Sequence, residues 1–248
     1  DLLATDINDF TSSTAVPSKR ICFTGANSYQ EGKTAGERIA RILNGKGTVA
    51  CIIPAFIQVN HVLRMKGCLD YLSNHPGIVW AGTFEGGGNR DDTPIVTADI
   101  IAKNPTLDLI YVTDGHTPVS VEEAVRAKAK KPLHIVAYDA MSDNMALLKA
   151  GRIDCLIEQN SFAQSYNALI HLYNACETSW RPISPKLFMP PLVIDSDNYR
   201  TYWDDEKNAR ILKDEETAQL AVPEPRKSQK RYRFALILPL STGFFEEL

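Results

Sequence analysis

The stretch that most constrains the fold of this chain covers residues 46–70. An apolar, β-branched run at residues 48–54 turns at Ala55 and Phe56 and passes directly into a helical pattern that contains Arg64. A buried strand followed at once by a helix is one βα unit of a parallel sheet, in which helices cover both faces of the strands. Ligands of such sheets bind beyond the carboxyl ends of the strands. The sequence therefore predicts that Arg64 lies near the mouth of a binding site.

An arginine in that position favours particular ligands. Its guanidinium offers five donors in a fixed geometry and no acceptor, which suits a hydroxyl-rich, carboxylate or phosphate ligand. The alternative is a surface arginine that is solvated or paired with Asp70. The rest of the chain favours the first hypothesis.

The alternation of strand and helix continues along most of the chain. Strand patterns also occupy residues 20–27, 78–84, 107–113, 133–138 and 153–157, and helical patterns occupy residues 29–43, 93–103, 119–129, 144–150 and 162–176. Such regular alternation is typical of a doubly wound, parallel α/β sheet with right-handed crossovers. The turns at the carboxyl ends of all its strands then lie at one edge.

Mostly polar side chains follow those strand ends. They are Asn27, Phe56, Asp114, Asp139 and Gln159, with Arg64 close by. Such a set at one edge of one sheet predicts a ligand site. For Asp114 and Asp139 the alternative role is helix N-capping, since aspartate is a preferred N-cap residue.

The overall charge does not favour a polyanionic partner. The chain has 27 basic and 30 acidic side chains and a formal net charge of −3, so we expect no direct binding to nucleic acid or to an anionic membrane. No apolar run approaches the roughly 20 residues that span a bilayer, and the chain opens with DLLATDIND instead of a signal peptide. If the protein is exported, we expect its targeting segment to have been removed.

The cysteine and histidine patterns predict neither a metal site nor a nucleophile. The five cysteines are spread without a CxxC pair, which suits small buried side chains and at least one free thiol. The five histidines lack ligand spacing, and the chain has no GxSxG motif. We therefore expect no metal, no cofactor and no catalytic residue.

The sequence changes in character after Thr178. Residues 181–198 read as a proline-studded extended segment, residues 203–220 as a charged amphipathic helix, and residues 222–229 as a linker. Residues 233–248 read as a buried strand, a turn and the opening of a helix, which is how another βα unit begins.

Several stretches of this sequence, in this order, resemble a known family. They are FTGANSYQEGKTAGERIARILNGKGTVACI, QVNHVLRMKG, LDLIYVTDG and IVAYDAMSDNMALLKAGRIDCLIEQNSFAQSYNALIHL. In order and spacing they resemble the second lobe of type I periplasmic binding proteins, and most closely the ribose-like, sugar-binding branch that is related to LacI-type effector domains. The resemblance covers residues 6–198, and the elements RxxG, TDG, AYD and GxIDxxIxQ are specific in combination. It implies a periplasmic binding protein type I-like fold with an essentially complete second lobe and a first lobe that is mostly missing.

The resemblance also assigns ligand contacts. Arg64 matches the cleft arginine of the family and Asp139 its cleft aspartate. Asp6 and Gln159 match the hinge-side aspartate and the hinge glutamine, and Asp114 matches a strand-end asparagine or aspartate.

A second group of predicted contacts is aromatic or hydroxylic. PLSTGFFEEL resembles the first strand and turn of the family, where a polar residue and paired aromatics contact the sugar, and Thr242, Phe244 and Phe245 fall there. Phe56 completes the predicted ligand-binding set. Ile7 departs from the family, in which an arginine often follows the hinge-side aspartate.

The same resemblance implies the domain organisation. Residues 1–17 correspond to the end of the first lobe and a hinge crossing, residues 18–160 to the second lobe, and residues 161–200 to a return segment and hinge. Residues 201–230 form the amphipathic helix and linker, and residues 231–248 a first-strand-like segment of a further or permuted lobe. Three alternatives account for this order: the chain is part of a tandem protein with two binding domains, its order is permuted, or residues of the first lobe are missing.

The implied function is that of a non-enzymatic solute-binding protein. Two hinged lobes capture a small carbohydrate and serve an ABC permease or a sensor protein, in the periplasm or outside the cell, where a lipid anchor is compatible with the role. One alternative is the ligand-binding effector domain of a cytoplasmic LacI-type regulator, which an upstream helix-turn-helix would favour. Another is an α/β enzyme acting on a sugar phosphate or nucleotide, which turnover would favour.

Overall fold

The computed structural model of the chain describes residues 21–182, 184, 186–212 and 230–234. The predicted ligand residues Asp6, Thr242, Phe244 and Phe245 lie outside the described residues, as do the linker predicted at residues 222–229 and most of the strand predicted after it.

The chain divides into two compact units. The larger unit contains Ser28–Gln159 and Pro191–Ile211. The smaller unit contains the described parts of Asp1–Asn27, Asn160–Pro190 and Leu212–Leu248.

Strands and helices alternate through most of both units. In chain order they are β1 (Phe23–Ala26), α1 (Ser28–Ile42), β2 (Gly47–Ile53), α2 (Val59–Leu72), β3 (Ile78–Glu85), α3 (Asp92–Lys103), β4 (Leu109–Val112), α4 (Pro118–Lys128), β5 (His134–Tyr138), α5 (Ser142–Lys149), β6 (Cys155–Glu158), α6 (Ser161–Thr178), β7 (Lys186–Met189), β8 (Leu192–Asp195), α7 (Tyr199–Tyr202), β9 (Trp203–Asp204) and β10 (Ala209–Arg210).

The larger unit is built on a six-stranded sheet with the strand order β3-β2-β4-β5-β6-β8. The first five strands are parallel, and β8 is antiparallel to β6. This confirms the predicted α/β class with a doubly wound sheet. The strand order reverses between β2 and β4, and open α/β sheets bind ligands in the crevice at the carboxyl ends of the strands where the order reverses.

Alternating side chains along each central strand pack into two separate cores. Ala50 and Ile52 of β2 face one core, which α3, α4 and α5 cover. Val49 and Cys51 of the same strand face the other core, which α1 and α2 cover. Because successive side chains of a strand point to opposite faces, a strand covered on both sides must be apolar throughout, as the sequence of β2 is.

Helices α1 and α2 approach each other so closely that their backbones meet at glycines. A Cβ added to Gly32 would collide with the carbonyl oxygen of Arg64, and one added to Gly67 would collide with the carbonyl oxygen of Tyr29. These contacts explain the glycine in the RxxG element and bring the first turn of α1 beside Arg64.

The smaller unit contains β1, α6 and β7, and β1 pairs in parallel with β7. The helix predicted at residues 162–176 is confirmed as α6. The prediction that Asn27 shares the sheet edge with the other strand ends is wrong, because β1 is not a strand of the six-stranded sheet. An apolar run shows that a strand is buried but does not show which strand it pairs with.

The amphipathic helix predicted over residues 203–220 is wrong where the structure describes that segment. Trp203 is buried in the core, and β9 pairs with β10 as a short antiparallel hairpin. The Asp204 carboxylate accepts hydrogen bonds from the backbone N–H groups of Glu206 and Lys207, at 3.0 and 3.1 Å. Such side-chain-to-backbone hydrogen bonds stabilise a turn in place of a helix. The segment after Asp204 therefore forms a turn although its sequence has a helical pattern.

The prediction that the cysteines are small buried side chains is confirmed for four of the five and is wrong for Cys176, which is exposed. All five cysteines are free, and four of them, Cys22, Cys51, Cys68 and Cys155, are buried. Across the described ranges, no helix has both the length and the apolar character needed to cross a membrane.

Replacing Gly32 with alanine tests the close contact between α1 and α2. Alanine raises intrinsic helix stability by about 1 kcal/mol, but the collision with the Arg64 carbonyl is expected to lower the free energy of unfolding by about 1–3 kcal/mol or more. Chemical denaturation measures the difference. Thr34→Ala, on the same helix, is the control and is expected to change stability by less than about 0.5 kcal/mol. A Gly32→Ala protein as stable as the wild type would contradict the close contact.

Candidate ligand-binding site

The candidate site lies at the carboxyl ends of β2, β4 and β5, where the strand order of the sheet reverses. Three predicted ligand residues, Arg64, Asp114 and Asp139, are positioned there by α2, by the β4–α4 turn and by the β5–α5 turn. The electrostatic coupling among Arg64, Asp139 and their neighbours is strong enough to shift pKa values, which places them in one charged cluster.

Arg64 is buried, with only 2% of its surface exposed. Its Nε donates to Oε2 of Glu31 over 2.9 Å, and its Nη1 donates to the carbonyl oxygen of Thr113 over 2.8 Å. The guanidinium carbon lies 4.1 Å from the centre of the Tyr138 ring, a cation–π distance. The alternative of a surface arginine paired with Asp70 is therefore wrong, and Asp70 instead accepts a hydrogen bond from the Tyr29 hydroxyl.

Glu31 is the residue that sequence reasoning missed. It is fully buried in the first turn of α1 and forms the ion pair with Arg64. Removing one partner of such a buried pair costs about 3–5 kcal/mol, because it leaves an uncompensated charge. Its sequence signal was only an acidic residue at the start of a helix, where the helix dipole favours negative charge.

Asp139 follows β5 in a left-handed backbone conformation, with φ of 63°. Its Oδ1 accepts a hydrogen bond from Nε2 of Gln159 over 2.7 Å, which joins two of the predicted ligand residues. Burial, which is the largest cause, and the charge of Glu158 raise the pKa of Asp139, Arg64 and Gln159 lower it, and the net result is a pKa of about 7. The N-capping alternative does not describe Asp139, because Met141 is the N-cap residue of α5.

The N-capping alternative does not describe Asp114 either, because Thr117 is the N-cap residue of α4. Its Oδ1 accepts hydrogen bonds from the backbone N–H groups of His116 and Thr117, at 2.8 and 2.9 Å, and its Oδ2 accepts one from the Thr117 hydroxyl at 2.8 Å. The carboxylate thus shapes the turn that leads into α4. A ligand contact of Asp114 remains a prediction.

Asn144 joins the ends of β4 and β5, a role that no sequence motif indicated. Its Nδ2 donates to the carbonyl oxygens of Gly115, Tyr138 and Asp139, at 2.8, 3.2 and 3.2 Å. At Gly115 the two turns touch, because an added Cβ would lie 2.5 Å from Oδ2 of Asp139. Only glycine therefore leaves room for the Asp139 carboxylate.

Phe56 and His61 lie on the β2–α2 side of the site. Phe56 is 51% exposed, so its ring can be reached by a ligand, and its sugar contact remains a prediction. Nδ1 of His61 lies 3.0 Å from the Thr113 carbonyl oxygen, the same oxygen that Arg64 contacts. Burial and the charge of Arg64 lower the pKa of His61 to about 4, so this imidazole is neutral at physiological pH.

A cavity of about 160 Å³ opens at the same edge of the sheet, between the loops that follow β3, β4 and β5. Gly115 and Asn144 form one wall, and Asn89 and Arg90 form part of another. None of the predicted ligand residues that the structure describes lines this cavity, but two of its lining residues, Gly115 and Asn144, contact Asp139. Within the part of the chain that the structure describes, no group of three His, Cys, Asp or Glu side chains is arranged to hold a metal ion.

A family model described as a periplasmic binding protein domain matches residues 7–177. This confirms the family resemblance seen in the sequence. Residues 7–177 include all of the larger unit up to Gln159 and most of α6.

Solved structures share the fold. The arabinose-binding protein AraP from Geobacillus stearothermophilus is 23% identical, with a TM-score of 0.69 over 75% of this chain and 67% of that one. A sugar-binding protein of a sugar ABC transporter from Bacillus halodurans is 25% identical, with a TM-score of 0.67 over 77% of this chain and 70% of that one. An ABC transporter solute-binding protein from Burkholderia graminis C4D1M, in complex with D-arabinose, is 25% identical, with a TM-score of 0.67 over 74% of this chain and 65% of that one. The chain spans about two thirds of the length of these proteins.

The raised pKa of Asp139 predicts a pH-dependent stability. Its pKa is about 7 in the folded protein against 3.8 ordinarily, so the folded state binds more protons between these values. The contribution of Asp139 to stability is therefore complete below about pH 4 and is lost as the pH rises through about 7. Asp139→Asn is expected to remove this dependence and to stabilise the protein at about pH 8 by roughly 1–4 kcal/mol.

Chemical denaturation at about pH 5 and about pH 8 measures the effect. Asp143→Asn, which changes an exposed carboxylate near the same edge, is the control and is expected to keep the pH dependence of the wild type. Parallel pH profiles of the wild type and Asp139→Asn would contradict the assignment.

Proposed function

Because this chain belongs to the periplasmic binding protein domain family, we propose that it is a non-catalytic binding protein for a small carbohydrate. The observation that carries the proposal is the grouping of Arg64, Asp139 and Gln159 at the carboxyl edge of the six-stranded sheet, beside the point where the strand order reverses. The larger unit supplies one wall of the ligand cleft in this proposal, and a second lobe of the complete protein supplies the other.

The available donors and acceptors suit a polyol. Nη2 of Arg64 makes no hydrogen bond within the described residues, since Nε and Nη1 hold Glu31 and Thr113. Oδ2 of Asp139 likewise has no hydrogen bond there, since Gln159 takes Oδ1. A sugar hydroxyl both donates and accepts, so neighbouring hydroxyls can accept from the arginine and donate to the aspartate.

An aromatic side chain adds a second type of contact. The exposed ring of Phe56 offers an apolar face to the C–H side of a sugar ring, which buries carbon surface without removing a hydroxyl from its partner. The nearby cavity of about 160 Å³ is close in size to one that holds a single six-membered ring. Aromatic packing and polar edges together distinguish a sugar from a small inorganic anion.

Closure of the cleft generates the affinity. Hydrogen bonds to charged groups contribute about 1.5–3 kcal/mol each when water is excluded. The ligand stabilises the closed state through contacts that exist only in that state. The protein then serves an ABC permease or a sensor in the periplasm or outside the cell. The names of two relatives, both components of ABC transporters, support the permease role.

The test measures sugar-induced thermal stabilisation with the complete protein. A panel that includes L-arabinose, D-galactose, D-ribose and D-allose identifies a ligand. Gln159→Ala and Asp139→Ala are then expected to weaken its binding by about tenfold or more, because each removes a hydrogen bond of the charged cluster.

Asp99→Ala is the matched control, since Asp99 is an exposed carboxylate of α3 that pairs with Lys103. It is expected to bind the sugar like the wild type. Asp139→Asn keeps the shape of the side chain and covers the case in which Asp139→Ala fails to fold. Sugar affinities that stay unchanged in all the site variants would rule out this site.

A further inference from the structure

The hydrogen bonds of Arg64 restrict what its guanidinium can bind. Nε donates to Glu31 and one N–H of Nη1 donates to Thr113, and Nη2 makes no hydrogen bond within the described residues. A carboxylate or phosphate is bound best by two parallel N–H groups, from either the Nε/Nη2 edge or the Nη1/Nη2 edge. The Nε/Nη2 edge has lost Nε to Glu31, and one of the two N–H groups of Nη1 is taken by Thr113, so the bidentate binding of an anion by Arg64 is restricted.

Glu31 supplies the charge that opposes an anionic ligand. Its side chain is fully buried and ion-paired with Arg64 over 2.9 Å. Its second oxygen, Oε1, makes no hydrogen bond within the described residues, so no other donor there shares its charge. The guanidinium is therefore neutralised within the protein before any ligand arrives.

The other buried charged groups near the site also disfavour an anionic ligand. The buried carboxylates of the cluster and of the adjoining strand ends are Glu31, Asp114, Asp139 and Glu158. The guanidinium groups among them are those of Arg64 and Arg210, the latter 3.9 Å from Glu158. Among the described residues, these four acidic groups outnumber the two basic ones, and they still do so when Asp139 is protonated.

We propose that Glu31 is a specificity-determining residue that positions and neutralises Arg64, so that the site accepts uncharged hydroxyl ligands and rejects carboxylated or phosphorylated ones. This inference rests on the proposed carbohydrate site and names its substrate class. Glu31 acts through Arg64 and is a positioning residue. A purely structural pair between α1 and α2 would affect stability but not the discrimination between charged and neutral ligands.

Isothermal titration of the complete protein with matched ligands tests the inference. The pairs are D-galactose with D-galacturonate and D-glucose with D-glucuronate, and inorganic sulfate at constant ionic strength probes the arginine alone. Glu31→Gln keeps an acceptor for Nε and removes the charge. It is expected to raise the affinity for sulfate, and the affinity for each acid relative to its neutral parent, by about tenfold or more.

Two variants separate charge from structure. Glu31→Asp keeps the charge and is expected to retain the discrimination of the wild type. Glu37→Gln removes an exposed carboxylate of the same helix, one that pairs with Arg41, and is expected to change neither ratio. Glu31→Gln combined with Arg64→Met is expected to lose the sulfate binding that Glu31→Gln gained.

The outcomes distinguish this inference from the proposed function. Failure of every sugar to bind overturns the carbohydrate role, whereas the sulfate series still tests Glu31. A folded Glu31→Gln protein whose sulfate affinity and acid-to-sugar ratios match the wild type overturns the inference. If Glu31→Gln does not fold, the wild type decides, because tighter binding of an acid than of its neutral parent overturns the inference and weaker binding supports it.

Discussion

The buried ion pair between Glu31 and Arg64 links the helix layer of the larger unit to the sheet edge that holds the candidate site. It exists because two glycines, Gly32 and Gly67, let the backbones of α1 and α2 touch. Arg64 then reaches past the pair to the carbonyl oxygen of Thr113 at the end of β4. Neither charge is tolerable there alone, since a buried charge without a partner costs several kcal/mol. The packing of α1 against α2 therefore also determines which charges lie at the candidate site.

The rest of the edge is held by hydrogen bonds from side chains to backbone. Asn144 ties the turns after β4 and β5 together, and Asp114 fixes the turn into α4. Because Gly115 has no side chain, there is room for the Asp139 carboxylate beside it. A polar cluster whose members are bonded to strand ends cannot rearrange without breaking the sheet edge, and preorganisation of this kind lowers the cost of ordering groups when a ligand binds. The strand ends thus determine both the shape and the rigidity of the site.

Sequence reasoning found the fold and grouped polar strand-end residues at one edge of the sheet, but it mistook some individual roles. Apolar strands alternating with helices identified the doubly wound sheet, and the strand ends identified Arg64, Asp139 and Gln159 as members of one group. It missed Glu31, whose partner lies 33 positions further along the chain. It also placed β1 in the wrong sheet and predicted a helix where β9 and β10 form a hairpin. Each error concerns a long-range pairing or a local turn that periodicity does not encode.

The sequence by itself determined the class of fold, the order of its elements and the edge at which polar side chains gather, because these follow from local periodicity and from the rule that parallel strands end at the same edge. Only the tertiary structure decided what each polar group does. In the structure, the Asp114 carboxylate accepts hydrogen bonds within a turn, and the buried Asp139 carboxylate accepts one from Gln159. The tertiary structure also neutralised Arg64 with an acid from another helix. The physical reason is that charge and hydrogen bonding depend on distances of a few ångströms between residues far apart in sequence, and those distances are set by packing.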